Sequence, residues 1–592
     1  MYRAPIDDIR FALEEIAVMD GLKATGAFPE LSSDLTAAIL EEAGKFSGDF
    51  LAPLNRSGDL EGCTLSDGKV TTPRGIKEAY AKFVEGGWQG LQFPAEVGGM
   101  GLPRVLGAAV METLQSANMA FSLGPMLTFG AIEALIAKGS DEQKAMYLPK
   151  LMTGEWSASM QLTEPQAGSD VGALRTKAEP NGDGSWSITG QKIYITWGEH
   201  DCAENIIHAV LARTPDGPPG TKGISLFLIP KFLVNADGSL GERNGIHAIG
   251  LEHKLGIHGS PTCVMEMAGA KGWLIGEEFG GMAAMFIMMN AARLAVGVQG
   301  VGIAERAYQQ ALAYARDRKQ GRAPGVESDP PHAIIHHPDV RQMLTTMKAK
   351  IEAARAICYN CAVSADEAEF EPEAEDRAYS KRREELLTPI AKAWATDVGV
   401  EVASLGIQIH GGMGFIEETG AAQQYRDARI APIYEGTNGI QAMDLIGRKL
   451  AMDGGAPMRE LLDDIRQTVE DCATSSNPEL SKLAKRLGPA ADALEAAAKW
   501  ATAARRDRAD ILAGATAFLK LAGDVTGGWL LCVGAVSAQR RLKNAEGDPA
   551  FAEGKILLAR HFAETVLSTA PAALAGIQAG ASLLADEAAL GG

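Results

Sequence analysis

The sequence has little of what marks several classes of protein. Its seven cysteines are few and scattered, so no disulfide framework is expected and a reducing compartment is favoured. The sequence has fewer basic than acidic residues, with 56 Lys and Arg and 75 Asp and Glu, which gives a formal net charge of -19. Duplex-binding proteins usually present a basic face, so no nucleic acid is expected as a partner. These shortages predict a soluble cytoplasmic protein.

Long apolar runs are also scarce in the sequence. GWLLCVGAVSA at 528–538 comes nearest, and it is shorter than the ~20 residues that cross a bilayer as a helix. The first residues, MYRAPIDDIRFALEEI, lack the positive start and the apolar core of a signal peptide. We therefore expect no membrane insertion.

The residue texture divides the 592-residue chain into four ranges, in line with about three or four domains for this length. Residues 1–157 have helical spacing of apolar residues, and 158–278 hold short β-branched runs such as SWSITGQKIYITWG and GISLFLIPKFLV. Helical texture returns over 279–450, where FGGMAAMFIMMNAARLAVGVQGVGIAERAYQQALAYARDRKQG predicts one long buried helix. Residues 451–592 are Ala- and Leu-rich and helical. We predict an α+β fold with an N-terminal helical domain, a middle antiparallel β domain, a C-terminal helical bundle and an extra C-terminal helical domain.

Several short motifs favour structural roles over chemical ones. Cys358 and Cys361 have metal-ligand spacing, but they lie in a helical pattern without a second ligand pair. The adjacent His336 and His337 would diverge on a helix. GVQGVG at 297–302 lacks the spacing and the preceding strand of a Rossmann site, so its small residues predict close helix packing. We expect no metal and no Rossmann cofactor site.

Two segments leave the choice between a structural and a functional role open. The methionines of GMAAMFIMMN are either core filler or the lining of an adaptable apolar pocket. MQLTEPQAGSDVGAL, at 160–174, is either an interdomain turn or a loop that offers amides and hydroxyls to a polar ligand. Glu435, in IYEGTNGIQ, is likewise either a helix-capping residue or a catalytic base.

A family resemblance bears on these choices. MQLTEPQAGSDVGAL, ITGQKIYIT, ARDRKQG, IQIHGGMGF and IYEGTNGIQ occur in the order and spacing of acyl-CoA dehydrogenases. The sequence resembles that family over roughly residues 40–450. The chain length, the early YRAPIDDIRFAL segment and the extra C-terminal domain most resemble the bacterial 3-methylmercaptopropionyl-CoA dehydrogenase group within it.

The resemblance implies a flavoenzyme that holds FAD non-covalently and desaturates an acyl-CoA to the trans-2-enoyl-CoA. Glu435 would abstract the α-proton while the β-hydrogen leaves as hydride to flavin N5. The resemblance further implies a homodimer, and an electron-transferring flavoprotein as the electron acceptor. Its implied substrate is 3-methylthiopropanoyl-CoA, an intermediate of dimethylsulfoniopropionate breakdown, with a short- or medium-chain fatty acyl-CoA as the alternative.

The resemblance also assigns binding residues. Asn290 departs from the aspartate of many relatives, and the segment RKQGR, at 318–322, lacks their aromatic residue before glycine. The implied cofactor-binding residues are Met160, Leu162, Thr163, Tyr194, Thr196, Arg318, Gln408, Gly411, Gly412, Thr437 and Asn438. The implied substrate-binding residues are Ser169, Asn290, Arg293, Tyr434 and Gly436.

Other functions on the same fold remain alternatives. Acyl-CoA oxidases share it, and nitroalkane oxidases carry an aspartate where Glu435 stands. A DNA-associated flavoprotein is opposed by the net charge of -19. A membrane-surface role for 451–592 lacks a strongly basic amphipathic face.

Overall fold

The computed structural model describes residues 2–503 and 507–591. Its α-helices are α1 Ile6–Phe11, α2 Ser33–Phe46, α3 Ala52–Glu61, α4 Ile76–Glu85, α5 Arg104–Ala117, α6 Met119–Lys138, α7 Asp141–Thr153, α8 Gly281–Asp317, α9 Pro338–Phe370, α10 Ala374–His410, α11 Ala421–Ala428, α12 Asn438–Gly447, α13 Ala456–Thr474, α14 Pro478–Thr502, α15 Arg508–Ala513, α16 Ala515–Asn544, α17 Pro549–Thr565 and α18 Ala570–Ala579. Its strands are β1 Thr64–Ser66, β2 Lys69–Thr71, β3 Trp156–Gln161, β4 Lys177–Pro180, β5 Trp186–Thr196, β6 Asn205–Arg213, β7 Ile224–Pro230, β8 Phe232–Val234, β9 Leu240–Arg243, β10 Ile246–Leu251 and β11 Thr262–Leu274.

The chain forms two compact units, each with its own core. The sheet unit comprises Lys45–Leu102 and Ala117–Ala295, and the bundle unit comprises 2–44, 103–116 and the described residues from 296 onward. Helix α8 begins in the first and ends in the second. The boundaries of the four predicted domains stay predictions.

The sheet unit contains a seven-stranded sheet in its described residues, with the order β10-β11-β5-β4-β6-β3 and β7 paired to both β11 and β6. β5 and β11 form its longest pairing, which is antiparallel from Thr196 opposite Thr262 to Trp186 opposite Gly272. The β-branched runs of the sequence predict β5, β6, β7 and β11 correctly. The mixed helix and sheet content agrees with the predicted α+β class.

Strand β3 departs from the predicted antiparallel pattern. It pairs with β6 in parallel, from Trp156 opposite Asn205 to Gln161 opposite Val210. β3 is buried along its whole length, and β6 is buried at all but its last residue. Parallel strands need a long crossover connection, and here the chain between them holds β4 and β5. The sheet is therefore mixed, although most of its pairings are antiparallel.

The bundle unit is built around long helices. The long helix predicted around 280–321 is α8, which runs over 37 residues. A Cβ atom on Gly297 would lie 2.8 Å from the Ala391 carbonyl oxygen, and one on Gly300 would collide with the Ala395 carbonyl. The prediction that GVQGVG permits close helix packing is thus confirmed, since α8 meets α10 backbone to backbone.

The C-terminal helices α13 to α18 belong to the bundle unit and pack on its long helices. Trp394 of α10 donates an indole hydrogen bond of 2.9 Å to Asp524 of α16. A Cβ atom on Gly523 would collide with the Trp394 ring. Glycine therefore lets this indole approach the backbone of α16 closely.

The expectation that no segment is long and apolar enough to cross a membrane is wrong, if helices are judged by their length and composition alone. Three helices of the described residues meet those criteria: α6, α8 and α16. Their most apolar 18-residue windows are 83%, 50% and 83% buried, respectively, inside the protein. The sequence scan missed them because glycines and single polar residues interrupt the apolar runs, whereas the helical average remains apolar. In α6 and α16 this apolar surface serves the protein core.

A buried ionic cluster joins five helices of the bundle unit. Arg355 of α9 lies 2.7 Å from Glu112 of α5, 3.1 Å from Glu305 of α8 and 3.2 Å from Glu352. Glu352 also lies 2.8 Å from Lys555 of α17. Asp8 extends the cluster to α1, since it lies 2.7 Å from Lys555 and 2.6 Å from Lys348 of α9. Each charge is compensated only while its partners are present.

Replacing the central cation should destabilise the bundle unit strongly. We expect Arg355→Met to cost about 3–5 kcal/mol, because it leaves buried carboxylates without their guanidinium. Thermal unfolding should show a Tm lower by about 5 °C or more. The matched control is Arg466→Met, which removes a half-exposed arginine from its ion pair with Glu495 and should change stability by less than about 0.5 kcal/mol. Equal Tm values for the two variants would contradict the role of the cluster.

Candidate active site

In the sheet unit, two predicted flavin-contacting segments lie side by side. The chain leaves β3 through Leu162 and Thr163, and the Thr163 carbonyl accepts a hydrogen bond of 3.0 Å from the Ile193 amide. Tyr194 follows with a left-handed backbone, at a φ of +60°, and a ring that is 61% exposed. A left-handed non-glycine residue is uncommon. The exposed Tyr194 side chain is available to a ligand.

A buried ion pair that sequence reasoning missed holds this loop. The fully buried Lys192 donates hydrogen bonds of 3.0 Å to the Leu162 carbonyl and 2.8 Å to Glu164. Glu164 also accepts hydrogen bonds from the amides of Arg175 and Thr176. Burial lowers the pKa of Lys192 to about 8. Burial alone would raise the pKa of Glu164, but Lys192 and the hydrogen bonds hold it at about 2, so the pair is charged at neutral pH.

The predicted substrate contacts of the sheet unit occupy two places. Ser169 is exposed in the loop after β3. On α8, Asn290 is exposed and accepts a long hydrogen bond of 3.5 Å from the largely buried Arg293. Met288, from the methionine-rich segment, is fully buried and lies against Gly130 of α6. This packing gives Met288 a core role in the sheet unit.

In the bundle unit, Glu435 lies in a short loop between α11 and α12. Its φ is +54°, and that of Gly436 is +83°. The hydroxyl of Thr437 caps α12 by accepting a hydrogen bond of 3.2 Å from the Ile440 amide. The capping interpretation of Glu435 is therefore wrong, because Thr437 is the N-cap residue. A left-handed glutamate costs on the order of 1 kcal/mol or more, and such strain concentrates at functional sites.

Helix α10 clamps both ends of this loop. The fully buried Lys392 donates hydrogen bonds of 2.9 Å to the Ala431 carbonyl and 2.9 Å to the Asn438 side-chain oxygen. The Asn438 amide nitrogen donates to Asp397 at 2.8 Å and to Thr396 at 3.0 Å. Both polar atoms of the Asn438 side chain thus face α10. This arrangement orients α12 and fixes the residues on either side of Glu435.

A further contact holds the loop from α8. The Tyr434 hydroxyl donates a hydrogen bond to the Gln299 side-chain oxygen. Burial, with a contribution from the charge of Glu435, raises the pKa of Tyr434 above its ordinary value. The hydroxyl consequently remains protonated. Sequence reasoning missed Gln299 and Lys392, although each is a polar residue within an otherwise apolar helical stretch.

The remaining predicted cofactor contacts lie at one end of the bundle. The Tyr314 and His410 rings stack 4.4 Å apart, which brings the end of α8 beside the end of α10. Arg318 follows α8 and is exposed, and its guanidinium donates a hydrogen bond of 3.2 Å to Gln320. The exposed Gln408 lies in the last turn of α10.

The glycines at the end of α10 leave space. Gly411 has a φ of +61°, and a Cβ atom on either Gly411 or Gly412 would meet no other atom within 4 Å. Open backbone beside an exposed arginine suits a diphosphate. The exposed ring of Tyr194 suits the flat ring of a flavin. The residues of each unit therefore fit FAD, and no group of His, Cys, Asp and Glu among the described residues could hold a metal ion.

Four family models match consecutive ranges of the chain. Family models match residues 33–155 as the acyl-CoA dehydrogenase N-terminal domain, 159–270 as its middle domain and 280–451 as its C-terminal domain. Residues 461–587 match the acetyl-CoA dehydrogenase C-terminal-like domain. The extra C-terminal helical domain predicted from the sequence is thereby confirmed.

One relative and two solved structures are similar to most of the chain. The 3-methylmercaptopropionyl-CoA dehydrogenase of Ruegeria pomeroyi is 50% identical over 96% of this chain and 96% of that protein. Caenorhabditis elegans ACDH-11 in complex with C11-CoA has a TM-score of 0.79 at 20% identity, covering 96% of this chain and 92% of that one. A structure of the electron transferring flavoprotein of Acidaminococcus fermentans has a TM-score of 0.59 at 29% identity, covering 72% and 99%.

The relative and the family models together cover almost the full chain, and the ACDH-11 structure shares its fold. The chain belongs to the acyl-CoA dehydrogenase family and is an FAD-dependent oxidoreductase.

Proposed function

We propose that the protein dehydrogenates the α,β-bond of a short acyl-CoA thioester, namely 3-methylthiopropanoyl-CoA, with Glu435 as the base. The observation that carries the proposal is the left-handed Glu435, held in a loop fixed at both ends while Thr437 caps the following helix. The substrate follows from the name of the relative that is 50% identical over 96% of the chain.

The chain's part in the chemistry is proton abstraction. A proton α to a thioester carbonyl is a weak acid, so the base needs fixed geometry and a partly desolvated site. Glu435 is half-buried, and Gly436, directly after it, lets backbone approach a ligand closely. Backbone amides at this loop would stabilise the charge that develops on the carbonyl oxygen. FAD, when bound, accepts the two electrons and the β-hydrogen.

The other predicted site residues take supporting roles in this proposal. Arg318 would reach the FAD diphosphate of a neighbouring subunit, and the open glycines 411 and 412 would support the adenine-side phosphates. The Thr163 and Tyr194 segments would face the flavin ring. Thr437 and Asn438 orient the base loop from α12. Arg293, with Asn290 and Ser169, would contact the CoA moiety. A cationic side chain there suits the CoA phosphates.

The proposal includes a homodimer, an electron-transferring flavoprotein as acceptor and a cytoplasmic location. Next to the glycines, Met413, Phe415 and Ile416 are exposed, and Phe415 is 86% exposed. Adjacent exposed apolar side chains are typical of a protein interface. A second copy of the chain on this surface would shield them beside the proposed diphosphate contacts.

Glu435→Gln should abolish turnover and leave binding intact. We expect kcat to fall about 10³-fold or more, since the amide cannot accept the α-proton. Anaerobic bleaching of flavin absorbance by 3-methylthiopropanoyl-CoA measures the loss, while bound FAD and acyl-CoA affinity should stay unchanged. The control is Glu418→Gln, an exposed carboxylate on a neighbouring turn, which should bleach like the wild type. Turnover retained by Glu435→Gln would overturn the proposed base.

Arg318→Ala should weaken FAD retention. The lost charge-assisted contact with a phosphate corresponds to about 1.5–3 kcal/mol, or roughly tenfold or more in the FAD dissociation constant. FAD content after gel filtration at low protein concentration measures it. Arg316→Ala removes an exposed arginine two residues earlier and should retain its flavin. Equal flavin content in both variants would contradict the assignment of Arg318.

A further inference from the structure

One glutamine interrupts an apolar face of α8. Gln299 is fully buried, and its neighbours one turn away on the same face, Val296 and Ile303, are buried apolar residues. A buried amide needs partners for its oxygen and its two N–H groups. Its position is therefore costly unless those partners exist.

The Gln299 amide is only half satisfied by the protein. Its oxygen accepts the hydrogen bond of the Tyr434 hydroxyl. Its Nε2 has no acceptor among residues 2–503 and 507–591. Leaving a buried donor unpaired costs about 1–3 kcal/mol. The structure thus holds a buried N–H donor whose acceptor the described chain does not supply.

The hydroxyl of Tyr434 determines which atom of the Gln299 side-chain amide has no hydrogen-bond partner. Its raised pKa keeps the phenol protonated, and a hydroxyl that donates to the oxygen directs Nε2 away from it. The reversed amide orientation would leave a buried oxygen that needs a donor. An acyl chain has no donor, but some acyl chains carry an acceptor.

The neighbourhood of Gln299 indicates where that acceptor comes from. Tyr434 directly precedes Glu435, so Gln299 acts on the residue next to the proposed base. In 3-methylthiopropanoyl-CoA, the sulfur is bonded to the β-carbon, two bonds from the carbon that loses the proton. A thioether sulfur is a weak acceptor, whereas a methylene group is none.

We propose that Gln299 is a specificity-determining residue, which donates its Nε2 hydrogen bond to a heteroatom of the acyl chain and thereby favours thioether-bearing acyl groups over alkyl ones. The inference rests on the proposed function and deepens it. Tyr434 is its positioning residue, since the Tyr434 hydroxyl holds the amide in the donating orientation. A site built to donate a hydrogen bond disfavours the analogue without an acceptor, because the donor is then left unpaired.

The test compares two substrates that differ in one atom. 3-Methylthiopropanoyl-CoA and pentanoyl-CoA have acyl chains of equal length, with sulfur replaced by methylene. The wild type should show a higher kcat/KM for the thioether substrate. Gln299→Met removes the donor at similar volume. It should lower the ratio of the two kcat/KM values about fivefold, the equivalent of one neutral hydrogen bond, chiefly through the thioether substrate.

Two further variants complete the test. Tyr434→Phe frees the amide and should lower the same ratio, so the inference stays testable even where Gln299→Met does not fold. The matched control is Gln424→Met, at another buried glutamine of the bundle unit on α11, and it should leave the ratio unchanged. FAD content and Tm of every variant identify loss of folding.

The outcomes separate this inference from the proposed function. Bleaching by both substrates, with a ratio that neither Gln299→Met nor Tyr434→Phe changes, would overturn the role of Gln299 and leave the dehydrogenase standing. An equal loss for both substrates would also overturn it, because Gln299 would then act on folding or on a water molecule. A wild type that neither substrate bleaches would overturn the proposed function itself.

Discussion

The buried ammonium of Lys392 fixes the loop that carries Glu435. A lysine charge without water is costly unless oxygen atoms surround it, and the Ala431 carbonyl and the Asn438 side chain provide two of them. These two residues stand on either side of Glu435 in the chain. Satisfying one charge therefore positions both ends of the loop. A left-handed glutamate can persist there because the chain on both sides of it is held in place.

The sheet unit uses the same device at its own loop. Lys192 is also fully buried, and it donates to the Leu162 carbonyl and to Glu164. Its charge ties the chain after β3 to strand β5, where Tyr194 projects into solvent. In both units a buried lysine from a regular element holds the carbonyl of a loop next to the proposed site residues. Loops without regular hydrogen bonding thereby gain fixed positions.

The sequence predicts best those features that depend on local pattern. The apolar character of residues 280–317 predicts α8, and the β-branched runs predict β5 and β6. Thr437 before α12 is a common helix-start signal, and its capping role was hidden by the more conspicuous Glu435. The parallel pairing of β3 depends on the path of the chain, which no local pattern records.

Buried polar residues are where local pattern fails. Lys192, Lys392 and Gln299 each look like ordinary polar residues within apolar segments, and only the folded chain shows that they are enclosed. The same limit applies to Arg355, whose carboxylate partners come from α5, α8 and α9. The partners of these buried residues are distant in the sequence, and Glu112 is 243 residues from Arg355. A tertiary network of this kind is invisible to periodicity and composition.

The contacts that stabilise the loop around Glu435 and the strained or unpaired groups that destabilise it act in different states of the protein. The lysine clamp and the capped α12 stabilise the loop in every state of the protein, whereas the left-handed Glu435 and the unpaired Gln299 donor destabilise the unliganded form. Apolar packing at position 299 would remove one of these costs. A ligand that accepts the Gln299 hydrogen bond removes it only while bound, so the saved free energy becomes binding energy that depends on the acyl group. The buried glutamine thus exchanges some stability of the free protein for discrimination among its substrates.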